Sequence, residues 1–272
     1  MDSFEPIPPE QLDAPAPQAV STPANRAEDP PWNLLHVLLV VGLGIPALFV
    51  ATIIATVVAL AVGIRSFTPA AIAQNIWIGL LAQALAYVLL IAAIVVIVSQ
   101  RSRESFWKTI SWNAPDTRRS ILAVLSGAVL GVTSLVFSGL LQRWIPKSLP
   151  IDQMFQNAKS AYALAAFGVF IAPAAEELFF RGLLYPALAR KTGIPLAVFL
   201  TAASFAAIHG IQLAWAVLPV LFIFAVGMVL TVARAWSKSL AVTVLIHMAY
   251  NATLFLALFI ATQGFRHMER AQ

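Results

Sequence analysis

Three short patterns place acid–base groups in a sequence that has few elsewhere: Glu176, Glu177 and Arg181 in AAEELFFRG, Phe205 and His209 in FAAIH, and His247 and Asn251 in HMAYN. On a helix, Glu177 and Arg181 stand four residues apart with the acid first, the favourable orientation for an ion pair, while Glu176 points about 100° away. That pairing neutralises Glu177 and Arg181 and leaves Glu176 as the carboxylate with chemistry to do. Phe205 lies one turn before His209, and Asn251 one turn after His247, each pair on a common helix face. A Glu hydrogen-bonded to a His can hold and deprotonate a water, which is a nucleophile for peptide hydrolysis. A second His with an Asn can donate to the oxyanion of the tetrahedral intermediate. Alternatively, two His and one Glu form a catalytic Zn²⁺ ligand set with an open water position, in which case Glu176, His209 and His247 hold a metal. The residues themselves leave the metal-bound and metal-free versions open.

Other hydrolytic chemistries fit poorly. The chain has no cysteine, which removes thiolate catalysis, disulfides and Cys-based zinc sites. It has no HExxH, no GxSxG, and no Asp within an apolar run to make an aspartyl pair. His36, near the start of the first apolar run, and His267, near the C-terminus, read as solvated or simple hydrogen-bonding histidines.

The elements that carry these groups are apolar. Hydrophobic residues make up 60% of the chain and charged residues 11%, against roughly 45–50% and 25% in soluble domains. A bilayer must be the solvent for most of it. The runs read as helical spans over 32–64 (with a bend expected at Pro46), 70–99, 120–142, 160–189, 194–211, 215–233 and 239–262, several of them longer than the ~20 residues that cross a hydrocarbon core. The expected fold is an all-α polytopic transmembrane bundle of about seven spans, with eight as the alternative count, enclosing a polar intramembrane cavity. Of the 12 acidic residues, only Glu176 and Glu177 fall inside a span. An ionisable residue at that depth costs at least ~2.5 kcal/mol and marks a functional site by default.

Glu176 precedes the loop at 190–193 by about 15 residues, His209 follows it by about 16, and Asn251 follows the turn at 234–238 by about 13. With both loops level on one membrane face, these three reach a common depth and His247 sits one turn nearer that face. Pro173 and Pro186 each remove a backbone donor from the span at 160–189, so a kink or split is expected there. The loop at 100–119, with Phe106, Trp107 and Trp112 among basic residues, suits either an interfacial amphipathic piece or an aromatic belt. The net charge of +5 comes from basic clusters between spans and is no nucleic-acid signal. Ten basic residues fall on the face shared with the N-terminus and six on the other, which places the N-terminus in the cytoplasm.

Residues 1–31 hold eight of the 17 prolines and six of the 12 acidic residues, the composition of a disordered tail. The division that follows is this tail, N-terminal membrane helices and basic loops over 32–159, a catalytic core over 160–262, and a short C-terminal tail over 263–272. No internal repeat of the transporter kind is evident.

The three patterns resemble the EExxxR, FxxxH and HxxxN motifs of the CAAX-processing and bacteriocin-processing (CPBP/Abi) family of intramembrane proteases, related to the Ras-converting CAAX endopeptidase. The resemblance covers about 160–262, with every motif position matched. It implies an endopeptidase of the bilayer, in a bacterial cytoplasmic membrane, acting on membrane-associated peptides or CAAX-like tails. By that resemblance Glu176 is the base, His209 its partner in activating water, His247 and Asn251 the oxyanion donors, and Glu177, Arg181 and Phe205 supporting residues. The family is described both as zinc-dependent and as metal-free, so the cofactor stays open. Two other readings of a buried Glu/His set are a non-catalytic immunity or scaffold protein and a proton or metal transporter. Oligomeric state has no signature in the sequence.

Overall fold

The computed structural model describes residues 29–63, 75–155 and 157–268. The regular elements there are all helical. In chain order they are α1 (Leu34–Ala61), α2 (Ile76–Arg101), a one-turn α3 (Phe106–Thr109), α4 (Thr117–Leu140), α5 (Ala158–Thr192), α6 (Ile194–His209), α7 (Val217–Ser237) and α8 (Leu240–Ala261). Six are long and apolar enough to cross a membrane, and α6 is a shorter apolar helix of 16 residues. Each of the seven expected spans has its helix. The proline-rich tail lies outside the described residues up to residue 28, as do the first residues of the second expected span, 70–74, and the end of the C-terminal tail, 269–272.

Capping residues start the helices where the sequence supplies them. Asn33, Asn75 and Asp116 each accept from backbone N–H groups in the first turn of α1, α2 and α4. α1 runs unbroken through Pro46, where a bend was expected. Loop contacts show the alternation that seven spans require. Arg190 donates to the Pro30 carbonyl at 2.7 Å, and Asn113 in the α2–α4 loop donates to the Lys238 carbonyl in the α7–α8 turn at 2.8 Å. On the opposite face, Ile151 N–H donates to the Gln212 carbonyl at 3.1 Å. α3 belongs to the first of these faces, with Trp107 58% exposed and set edge-on to Trp112.

Two contacts fix α8, the helix of His247 and Asn251. Gly127 and Gly131 of α4, four apart, let that helix lie directly on α8; a Cβ at Gly131 would stand 2.7 Å from Thr253 Cβ, and one at Gly127 2.7 Å from Ala249 Cβ. This is small-residue packing of the kind that joins helices in lipid. The start of α8 is held by the α2–α4 loop, where the Ser111 carbonyl accepts from Leu240 N–H at 3.0 Å. Leu240 therefore sits beside Gly182, with 3.2 Å between Leu240 Cδ2 and a Cβ placed on that glycine. Gly182 is eight residues before Arg190 and Leu240 two after Lys238, so the α7–α8 turn is recessed by about six residues of α5 from the 190–193 loop, and the premise of two level loops does not hold.

α5 is one continuous helix interrupted by two π segments, Phe167–Ile171 and Leu178–Leu184. The prolines explain them. An interior proline lacks an N–H and drives its ring against the carbonyl four residues back; widening the preceding turn by one residue moves that carbonyl aside. In the first segment Ala172 N–H reaches the Phe167 carbonyl, five back, and the next donor in that register would be Pro173, for Gly168. In the second, Tyr185 N–H reaches the Phe180 carbonyl, and the next donor would be Pro186, for Arg181. Both orphaned carbonyls are satisfied by side chains of other helices. Asn251 Nδ2 donates to the Gly168 carbonyl at 2.6 Å, and Arg234 Nε donates to the Arg181 carbonyl at 3.2 Å. Within a bilayer such freed backbone groups must find partners inside the protein or a cavity it encloses.

Two measurements follow. Gly131→Leu should lower the thermal unfolding temperature in detergent by an amount equivalent to about 1–3 kcal/mol of overpacking; an unchanged transition would refute the close α4–α8 approach. Asn251→Ala should leave a buried acceptor unsatisfied at about 1–3 kcal/mol, and adding Pro173→Ala, which restores a donor, should recover part of that loss. Strictly additive losses would count against the orphan-carbonyl account.

Candidate active site

The polar residues of the three motifs converge on the middle of α5. Glu177 and Arg181 form the expected ion pair, Nη1 to Oε1 at 2.7 Å, with both side chains fully buried. The other two guanidinium nitrogens find acceptors on α7: Nη2 donates to the Gly227 carbonyl at 2.9 Å and Nε to Thr231 Oγ at 3.2 Å. Gly227 lets α7 lie close to α6 there: a Cβ would stand 3.1 Å from Ala202 Cα.

His247 Nδ1 donates to the same Glu177 oxygen at 2.9 Å. A carboxylate that already accepts from Arg181 accepts here too, which fixes a proton on Nδ1. Nε2 faces Glu176 Oε2 across 3.9 Å, longer than a hydrogen bond. Glu176 keeps 12% of its side-chain exposure, against 5% for His247. The polar set is accordingly a nearly closed cluster whose open edge is at Glu176. Two apolar grooves elsewhere, one of about 330 Å³ between α1 and α2 beside Pro46 and one of about 520 Å³ near Trp144 and Val217, contain none of these residues.

Phe205 is the hub on α6. It is 2% exposed, with the Arg181 guanidinium 4.7 Å from its ring centre and the rings of His209 and His247 at 4.7 and 5.8 Å. The face of an aromatic ring attracts the cation, so Phe205 spaces the two histidines while supporting Arg181. His209, the last residue of α6, donates from Nδ1 to the Phe205 carbonyl at 2.8 Å and makes no hydrogen bond to either carboxylate.

The expected common depth is therefore redistributed. Glu176, Glu177 and His247 lie level, because α8 starts deeper than supposed, and Asn251 lies one turn further on, occupied with Gly168. The ligand set Glu176, His209 and His247 does not assemble around one point: among the described residues no group of three His, Cys, Asp or Glu stands close enough to hold a metal ion. The reason is visible in the bonding, since the α6 histidine is turned to its own backbone and Nδ1 of the α8 histidine to Glu177. These residues do not fit a shared Zn²⁺ in this arrangement.

Three members of the site were not singled out in the sequence. Thr231 had no signal beyond being a hydroxyl in an apolar run. Arg234 was counted among loop charges; it is 1% exposed and caps α5, which leaves nine basic residues against six in the face comparison. Tyr87 of α2 donates to Glu176 Oε1 at 2.8 Å. Its only hint was a Gln83–Tyr87 pair one turn apart on an otherwise apolar helix.

Comparison with known proteins gives one match. Residues 158–253 match the family model described as Rce1-like, type II CAAX prenyl endopeptidase Rce1-like. The match spans all three motifs and bears out the resemblance drawn from them. No curated protein and no solved structure matches the chain.

Breaking a buried ion pair from one side leaves the other charge stranded, at about 3–5 kcal/mol. Arg181→Met and Glu177→Gln should each cut the yield of monodisperse protein in detergent and lower its unfolding temperature, whereas Thr231→Val should do so by a smaller amount. Wild-type stability in Arg181→Met would show that the pair is dispensable to the fold.

Proposed function

With residues 158–253 Rce1-like, we propose that this chain is an intramembrane endopeptidase that cuts a peptide bond in membrane-associated, CAAX-like protein tails. The observation that carries the reading is the 3.9 Å gap between Glu176 Oε2 and His247 Nε2 at the more exposed edge of a buried polar cluster. A carboxylate oxygen and an imidazole lone pair at that spacing can each accept one hydrogen of the same water, leaving its oxygen free to attack. Glu176 takes a proton as the water oxygen bonds to the scissile carbonyl carbon, then returns it to the amide nitrogen as the C–N bond breaks, giving a free amine and a carboxylic acid, which loses the second water proton to solvent on release. Glu177 and Arg181 act through His247: they hold its tautomer and ring direction. His209, when protonated at Nε2, and the second N–H of the Asn251 amide are the donors proposed for the oxyanion. This exchanges the two histidines relative to the resemblance, because His247 and not His209 is the neighbour of Glu176.

The bias of nine basic residues against six supports placing the N-terminal face in the cytoplasm.

The test uses the full chain in liposomes and a quenched fluorescent peptide with a prenylated CAAX terminus. Glu176→Gln should lower the cleavage rate by about two to four orders of magnitude with the unfolding temperature retained. Wild-type rates from Glu176→Gln, or no cleavage by the unmodified protein, would sink the reading.

A further inference from the structure

Glu176 is held by a residue that lies far outside the matched segment. We infer that Tyr87 of α2 is a positioning residue for this carboxylate, a role that rests on Glu176 being the base. The terminal torsion of a glutamate is broad and roughly two-fold, so burial alone does not decide which oxygen faces a neighbour. Here the Tyr87 hydroxyl donates to Oε1 at 2.8 Å, which leaves Oε2 as the oxygen turned to His247. One oxygen is anchored and the other is kept for the proton.

The donor is itself well placed. Its ring lies flat on Phe167, with centres 5.9 Å apart and planes within 10°, and Phe167 opens the first π segment of α5. α2 is seated on α5 by a core in which Ile94 and Val98 pack with Leu178 and Leu183, and Trp32, just before α1, ties the same region down by donating from Nε1 to the Leu183 carbonyl at 2.9 Å. The first two membrane helices therefore complete the site; they do more than enclose it. A hydroxyl bond to an ionised carboxylate is of the stronger kind, and removing it from a buried pair costs enough to read in a rate.

Tyr87→Phe deletes the hydroxyl and keeps the stacked ring. We expect kcat on the same prenylated peptide to fall about tenfold to a hundredfold, with KM changed less than about twofold and the unfolding temperature retained. A purely structural tyrosine would give the opposite split, losing unfolding temperature while kcat per folded molecule stays at the wild-type value, and that result overturns the proposal. An infrared measurement needs no substrate: the carboxylate band that disappears in Glu176→Gln should move in Tyr87→Phe. An unmoved band overturns the pairing. If the unmodified protein does not cut the peptide, the peptidase reading fails on its own account and the band still decides whether Tyr87 holds Glu176.

Discussion

The ion pair between Glu177 and Arg181 is the interaction from which the rest of this site is built. Two opposite charges at 2.7 Å with no solvent exposure carry a desolvation cost that their attraction and further hydrogen bonds must offset. Arg181 is bound further by α7 at Gly227 and Thr231, and Glu177 Oε1 also accepts from His247 of α8, while Glu177 Oε2 is buried without a hydrogen-bond partner among the described residues. The pair thereby draws three helices to one point, with α6 added through Phe205 beneath the guanidinium. Glu176 stands outside this ion pair, and its partial exposure sets it apart from the fully buried carboxylate next to it in the chain.

Much of this was legible before any coordinates. Composition and charge-free runs located the helices to within a few residues, because a bilayer accepts little else. Helical spacing separated Glu177 from Glu176, since a four-residue interval states which acid meets Arg181. What spacing could not state is where one helix begins relative to another. Counting residues from loops assumed level loops, and the α2–α4 loop, by holding Ser111 and Asn113 against the start of α8, sets that helix deeper. Tyr87 was illegible for a related reason: a tyrosine in an apolar run carries no periodic signal, and its meaning arises only when α2 is laid against α5. Arg234 looked like an ordinary positive charge at a helix end, and the need that buries it comes from Pro186, 48 residues earlier.

The two prolines of α5 show how an irregular backbone survives in lipid. Each proline is preceded by a widened turn, and each leaves a carbonyl that its own helix cannot serve. The partners come from α7 for Arg181 and α8 for Gly168, so Arg234 and Asn251 are ligands of the backbone whatever else they do. The same Arg181 thus offers its side chain to Glu177 and its carbonyl to Arg234, and a single residue ties both the electrostatic and the backbone repair of the bundle together.

That division of labour bears on biogenesis. α5 carries Glu176, Glu177, Arg181 and two incomplete carbonyls, and it is the least apolar of the six long helices. Each charged residue at the centre of an isolated span costs about 2.5–3.5 kcal/mol on insertion. Glu177 and Arg181 relieve one another within α5 and Tyr87 of the earlier α2 reaches Glu176, but the further partners of the ion pair and the donors to both carbonyls sit on α7 and α8, which leave the ribosome later. α5 is therefore a segment that the insertion machinery must retain, partly unsatisfied, until the end of the chain arrives; truncation before Ser239 would strand it without the α8 histidine and asparagine that finish the membrane domain.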